Sequence, residues 1–184
     1  SFWKRANAAA TSPCDSATIA TPIAELASST SPIATMRGSE FTTYAAKKAL
    51  EDSRLAPADV ESDRCGVLVG CGEGSAMDMF EAAQAMAEHN KPRRIGIRVP
   101  RTMGSSRSAN ITMLLKNRGM SMGISDACAT GLVNIGYAYQ VVKWGLQDVV
   151  FAGGGESCDW AGSAYFDAMG VLPTGFNDKP AAAS

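Results

Sequence analysis

The sequence has little excess charge, a single histidine and no long hydrophobic run. Seventeen Lys and Arg against eighteen Asp and Glu leave a formal net charge of −1, and no basic block indicates a nucleic-acid partner. Charges, Gly or Pro interrupt every apolar stretch before the ~20 residues that span a bilayer, so no membrane partner is expected. The five cysteines form no CxxC pair, and the chain contains only one histidine that could join them in a metal site. No metal site or bound cofactor is therefore indicated, and free thiols in a reducing compartment are expected.

The chain divides into a short lead-in and one domain. Residues 1–38 contain three prolines and show no sustained period, which predicts an irregular or disordered segment. Residues 39–184 fit one domain, which opens with "SEFTTYAAKKALEDSRL", a helical pattern with Ser39 as N-cap that ends near Pro57.

Strand and helix patterns alternate through this domain. A strand at 67–69 breaks into glycines and precedes the helical run "AMDMFEAAQAMAEH". A basic loop, "NKPRRIGIRVPR", and a small-residue helix, "TMGSSRSANITMLLKN", come next. The order is completed by a strand ending at Ser125, the helical run "CATGLVNIGYAYQVVKWG" and the strand of "QDVVFAGGGES". The apolar stripe predicted for that helix is Leu132, Ile135, Tyr139 and Val142. The alternation predicts an α/β layered fold with at least partly parallel strands.

Cys128 lies where the second strand gives way to a helix, among small residues. Unpaired N–H groups and the helix dipole at such a junction favour the thiolate, the form that attacks carbonyls. Cysteine is also among the most buried residue types, and the pattern alone favours the interpretation that Ala-Cys-Ala fills a tight corner. Position alone leaves both interpretations open.

The other candidate motifs have plainer interpretations beside the chemical ones. "GCGEGS" at 70–75 has the parts of a phosphate cradle, but Ser75 stands where a third glycine is expected, which favours close strand–helix packing. The glycines of "AGGGES" at 152–157 name no ligand by themselves. His89 ends a polar run, which favours a solvated helix terminus over a partner for Cys128.

Six methionines offer an adaptable apolar surface such as an acyl pocket, although filling gaps in the core is their commoner role. They are Met77, Met79, Met86, Met103, Met113 and Met169.

The region from Cys128 onward resembles a known enzyme family. An Ala-Cys-Ala-Thr turn, a Gly-x-x-Asp-Val strand entry, an Ala-Gly-Gly-Gly-Glu segment and Phe-Asp-Ala-Met-Gly occur in the order and spacing of the elongating β-ketoacyl-(acyl carrier protein) synthases, class I and II condensing enzymes. The resemblance covers roughly residues 37–184. It implies the N-terminal half of a thiolase-like fold, in which two α/β halves stack into αβαβα layers, usually as a homodimer.

The resemblance also implies a reaction and its residues. Cys128 matches the cysteine that takes an acyl chain from acyl carrier protein as a thioester, and its backbone N–H is one oxyanion donor. Decarboxylated malonyl-carrier protein then attacks that thioester in fatty acid biosynthesis. Met103 and Phe166 match positions that line the acyl pocket. The free thiols favour a cytoplasmic location, and an N-terminus rich in Ser, Thr and Ala and poor in acidic residues leaves an organelle stroma or matrix as the alternative.

The sequence also departs from the family pattern. The family's two catalytic histidines, its supporting lysine and the loop giving a second oxyanion donor belong to the C-terminal half, and His89 matches none of them. The family's opening strand with Thr-Gly-x-Gly is also missing. The chain is therefore expected to be truncated and inactive in condensation by itself. The alternatives are a non-catalytic truncated partner subunit and a dinucleotide-binding α/β enzyme using "GCGEGS".

Overall fold

A computed structural model of the chain describes residues 39–182 except positions 97, 174, 177, 180 and 181. The predicted lead-in, residues 1–38, lies outside the described residues. Helices and strands alternate along the described part as the pattern predicted. The helices are α1 (Ser39–Ser53), α2 (Pro57–Val60), α3 (Ala76–His89), α4 (Arg98–Thr102), α5 (Ser106–Leu115), α6 (Thr130–Lys143) and α7 (Trp160–Ala168). The strands are β1 (Cys65–Gly70), β2 (Ser121–Met122) and β3 (Val149–Gly154).

The described strands form one parallel sheet in the order β2-β1-β3. β1 pairs with β3 from Cys65–Val149 to Gly70–Gly154, and Val67 of β1 pairs with Ser121 of β2. Because parallel strands all end at the same edge, the segments that follow β1, β2 and β3 meet there. In open α/β sheets this carboxyl edge is where ligands bind.

Side chains that alternate along the strands build a core on each face of the sheet. Val67 and Val69 of β1 pack with Ile111 and Leu115 of α5 on one face. Leu68 packs with Val141 of α6 on the other. This two-residue alternation is what a strand buried on both faces requires, and it gives a helix–sheet–helix sandwich. The predicted α/β class with parallel strands is confirmed.

The second strand is shorter than predicted, because β2 ends at Met122 rather than at Ser125. At Gly123 the chain passes directly over β1, where an added Cβ would lie 2.5 Å from the Val69 carbonyl oxygen. The next residue, Ile124, bonds its backbone to the side chain of Asn134 instead of to a strand. A side-chain partner therefore replaces the sheet ladder just before Cys128.

The predicted small-residue helix is interrupted, and part of the predicted basic loop is helical. The chain forms α4 and α5, with Met103–Ser105 between them, and α4 takes in residues 98–101 of that loop. Around this break the hydroxyl of Ser106 donates to the Pro100 carbonyl, and the hydroxyl of Ser108 donates to the Ser105 carbonyl at 2.9 Å. Serine hydroxyls that bond nearby backbone compete with a continuous helix.

Within the described residues, no helix combines the length and the apolar character needed to cross a bilayer.

Candidate active site

Cys128 lies in the turn between β2 and α6, at the carboxyl edge of the sheet, and its side chain is exposed. The turn is closed by two backbone bonds, from the Ala129 N–H to the Asp126 carbonyl at 2.9 Å and from the Thr130 N–H to the Ala127 carbonyl at 3.1 Å. α6 begins two residues after Cys128, with Ala129 as N-cap. Alanine has no side chain that could cap the helix, and no side-chain capping bond forms there.

The exposure of Cys128 excludes one of its two interpretations. The filler interpretation, a buried small residue, is wrong, because the thiol faces outward. Cys65 and Cys71 are the buried cysteines, and burial raises the pKa of both thiols, which keeps them protonated. An accessible thiol at a helix N-terminus is the arrangement that a nucleophile needs.

Backbone strain occurs directly before the cysteine. Ala127 has φ of +44°, in the left-handed region that L-residues other than Asn and Asp rarely adopt. Such residues persist where surrounding contacts fix them, and they cluster at functional sites.

The glycines of "GCGEGS" let β1 approach this turn. An added Cβ at Gly72 would lie 2.8 Å from the Ala127 carbonyl oxygen, and one at Gly70 would collide with the Ile124 carbonyl. The Ser125 hydroxyl donates to the Gly72 carbonyl at 3.1 Å. The packing interpretation of this motif is confirmed, because its glycines let β1 lie in close contact with the segment that carries Cys128.

The "AGGGES" segment serves the same purpose from the other side. An added Cβ at Gly154 would lie 2.9 Å from the Cα of Gly131, so β3 and the first turn of α6 pass in close contact. The Glu156 carboxylate accepts a hydrogen bond from the Gly72 N–H and thus ties this segment to the end of β1. Sequence reasoning missed Glu156, although a lone carboxylate after three glycines at a strand end was a signal for it.

Carboxylates give the end of β1 an acidic character. Burial raises the pKa of Glu73, and the negative charges of Glu156 and Asp159 raise it further, whereas Arg107 opposes them. Arg107 is fully buried, with one N–H donating to the Gly74 carbonyl at 3.5 Å. Among the described residues, no group of His, Cys, Asp and Glu is arranged to hold a metal ion.

The predicted apolar stripe of α6 faces outward. Leu132, Ile135 and Tyr139 are exposed, 70% in the case of Leu132, and Val142 is exposed as well. This stripe is therefore the outward face of α6 and not the face that packs on the sheet. The buried face is Thr130, Asn134, Ala138 and Val141. Small and polar side chains lie against the sheet because the glycines of β1 and β3 bring the backbones close together, which leaves no room for Leu or Tyr.

His89 is the last residue of α3, with its side chain 41% exposed and 3.9 Å from the Glu88 carboxylate. The solvated helix terminus predicted for it is confirmed. The N-cap of α3, Ser75, lies at the site edge, and a helix of this length spans about 20 Å. His89 therefore stands at the far end of α3 from Cys128.

The predicted acyl-pocket residues both lie on the surface. Met103 is 49% exposed between α4 and α5, and Phe166 is 40% exposed on α7. Their role in a pocket stays a prediction. Four of the six methionines are exposed, whereas Met77 and Met86 are half-buried and none is fully buried.

An accessible cysteine lies in a strained turn between a parallel strand and a helix of an α/β sandwich, which is a candidate site for a cysteine nucleophile. The family model described as "Beta-ketoacyl synthase, N-terminal domain" matches residues 23–184. The chain belongs to the β-ketoacyl synthase family, as the resemblance around Cys128 predicted. The match begins inside the segment predicted as lead-in.

Relatives and solved structures agree with this assignment. The chain is 40% identical over 139 residues to 3-oxoacyl-(acyl-carrier-protein) synthase 1 of Haemophilus influenzae, which covers 75% of this chain and 34% of the relative. It is 35% identical over 146 residues to the mitochondrial 3-oxoacyl-(acyl-carrier-protein) synthase of Arabidopsis thaliana, which covers 78% of this chain and 32% of the relative. The chain thus spans about a third of the length of the curated relatives it matches.

Two solved structures show the same fold. A β-ketoacyl synthase from Burkholderia phymatum aligns with a TM-score of 0.67 and 30% identity over 77% of this chain and 35% of that one. A type II polyketide ketosynthase, solved in complex with its acyl carrier protein, aligns with a TM-score of 0.65 and 25% identity over 76% of this chain and 36% of that one. The described sandwich is thus an N-terminal part of the thiolase-like fold.

Proposed function

We propose that the chain is the N-terminal domain of a β-ketoacyl-(acyl carrier protein) synthase of fatty acid biosynthesis and supplies its nucleophile, Cys128. The observation that carries the proposal is the exposed thiol in the strained turn before α6, in a chain of this family. The protein containing both halves of the family's fold is called the complete synthase below.

The chemistry proceeds in two transfers. The Cys128 thiolate attacks the carbonyl of an acyl thioester on acyl carrier protein, and the carrier thiol leaves. Malonyl-carrier protein then loses carbon dioxide, and the resulting carbanion attacks the Cys128 thioester. This forms the carbon–carbon bond of a 3-oxoacyl-carrier protein and returns the free thiol.

The residues of this chain have distinct roles in the first transfer. The Cys128 thiol at the start of α6 is the nucleophile, and the backbone N–H of Cys128 donates to the oxyanion as negative charge develops on the carbonyl oxygen. Met103 and Phe166 line the pocket for the acyl chain. The family's histidines and lysine, in the C-terminal half, serve the decarboxylation. We therefore expect no condensation by the 184-residue chain alone.

Partners and location follow from the same assignment. Acyl carrier protein delivers both the acyl and the malonyl thioesters, and the complete synthase is a homodimer. Its location is the cytoplasm, or the stroma or matrix of an organelle.

The test is condensation by the complete synthase and its cysteine variants. Cys128→Ala is expected to abolish 3-oxoacyl product from dodecanoyl- and malonyl-carrier protein. Cys158→Ala, a change at the other exposed described cysteine, is the matched control and should retain activity. Condensation by Cys128→Ala at the parent rate would contradict the proposal. Inactivity of the parent would favour the non-catalytic subunit.

A further inference from the structure

The turn that carries Cys128 is strained and yet lies at the surface, so something must fix it. Residues 124–130, named here the nucleophile turn, include Ala127 in its left-handed conformation and an exposed Cys128. A strained backbone relaxes unless surrounding contacts hold both of its ends. The contacts that do so come from the buried face of α6.

Asn134 binds the beginning of the nucleophile turn. Its Oδ1 accepts from the Ile124 N–H at 3.0 Å, and its Nδ2 donates to the Ile124 carbonyl at 2.8 Å. The same Nδ2 donates to the Thr130 carbonyl at 2.7 Å. One carboxamide therefore joins the residue where the turn begins to the residue where α6 begins.

Thr130 adds a second contact from the same helix face, one turn earlier. Its Oγ1 accepts from the Asp126 N–H at 2.7 Å. Asn134 is fully buried and Thr130 is 2% exposed, so water does not compete for these bonds. A Cβ at Gly70 would lie 3.0 Å from the Thr130 methyl and 3.1 Å from the Asn134 Nδ2, which shows that β1 confines both side chains.

We propose that Asn134 is a positioning residue for Cys128: by binding Ile124 and Thr130 together it fixes the direction of the Cys128 thiol and backbone N–H. Thr130 supports it through Asp126. The inference rests on the proposed function in taking Cys128 as the nucleophile. Asn134 lies beneath the turn and acts through the backbone, with no contact to substrate.

The experiment uses the complete synthase and two probes of Cys128. Dodecanoyl-carrier protein reports acyl transfer, which needs the thiol and the N–H correctly aimed. Iodoacetamide reports only whether the thiol is accessible and ionised. Both rates are normalised to the folded fraction, measured by near-ultraviolet circular dichroism.

Asn134→Ala is expected to slow acyl transfer by about tenfold or more, because misplacing a reacting group by about 1 Å can cost about a hundredfold. Its alkylation rate should change by less than about threefold, since the thiol stays exposed. The matched control is Asn117→Ala. It removes a buried hydrogen bond of 2.8 Å from the Asn117 side-chain amide to the Cys65 carbonyl, at the opposite end of β1. This control should lose stability but keep the parent rate of acyl transfer.

A second pair of variants covers the case in which Asn134→Ala fails to fold. Thr130→Val keeps the shape of the side chain but removes the acceptor for Asp126, and it should slow acyl transfer. Thr130→Ser keeps the hydroxyl and should restore the rate.

Parent-like acyl transfer in folded Asn134→Ala would overturn the inference, and so would equal rates in Thr130→Val and Thr130→Ser. A parent that is not acylated at Cys128 at all would contradict the proposed function instead.

Discussion

Replacing Gly72 by Ala tests whether close packing at the end of β1 fixes the position of the nucleophile turn. The added methyl would lie 2.8 Å from the Ala127 carbonyl oxygen and 3.1 Å from the Glu156 Oε1. Ordinary contacts begin at 3.4 Å, so the Ala127 carbonyl must move by about 0.6 Å. The Glu156 side chain can rotate away, but the Ala127 carbonyl belongs to the backbone, so its movement also shifts Cys128, the next residue. Overpacking of this kind costs about 1–3 kcal/mol in unfolding free energy.

The assay is urea unfolding of the complete synthase, combined with dodecanoyl transfer to Cys128 at saturating thioester. Gly72→Ala should lower the unfolding midpoint and slow acyl transfer, while leaving thioester binding nearly unchanged. Gly104→Ala is the control, because its added methyl would have only the Cys71 sulfur nearby, at 3.8 Å. A Gly72→Ala protein with parental midpoint and parental acyl transfer would refute the packing argument.

Two further predictions concern groups whose pKa is shifted. Burial raises the pKa of the Cys71 thiol above its ordinary value of 9.0. This thiol therefore ionises at a lower pH in the unfolded chain than in the folded one, and the free energy of unfolding falls as pH rises from about 8 to about 10. Cys71→Ala should weaken this alkaline loss in urea unfolding, and an unchanged loss would contradict the prediction. Arg64 binds Asp148 at 2.6 Å and lowers the pKa of its carboxyl, which favours the folded state until the pH falls through that lowered pKa. Arg64→Ala should raise the pKa of Asp148 in an NMR titration, whereas a matched Lys48→Ala change should leave it where it is.

The layered fold could be predicted because its signals are local. The apolar run of β1 and the 3.6-residue period of α3 each specify an element without reference to the rest of the chain. Their alternation then favours a parallel sheet. The end of β2 could not be found in this way, because Ile124 leaves the ladder for a side chain ten residues later.

The orientation of α6 shows why a local pattern misleads. Hydrophobicity selects the stripe of Leu132 and Ile135, but both are exposed in the described chain. The buried face is set by close approach to the glycines of β1 and β3, a tertiary constraint that favours Thr130 and Asn134. A Thr and an Asn spaced four residues apart after a cysteine were the available signal.

The place of Cys128 in the fold was predictable from the sequence, and the residues that hold its turn were not. Position placed Cys128 at a helix start but left burial open, and the structure decided for exposure. Glu156 binds a backbone N–H 84 residues away and Asn134 binds the backbone ten residues away, so their partners depend on how the segments meet in the fold.

The most direct test of the account is the mass of the acyl-enzyme. The complete synthase is mixed with dodecanoyl-carrier protein without malonyl-carrier protein, digested and analysed by mass spectrometry. We expect one dodecanoyl group on the peptide containing Cys128, also present in Cys158→Ala and absent in Cys128→Ala. An acyl group on another residue, or an acylated Cys128→Ala protein, would contradict the assignment of Cys128 as the nucleophile.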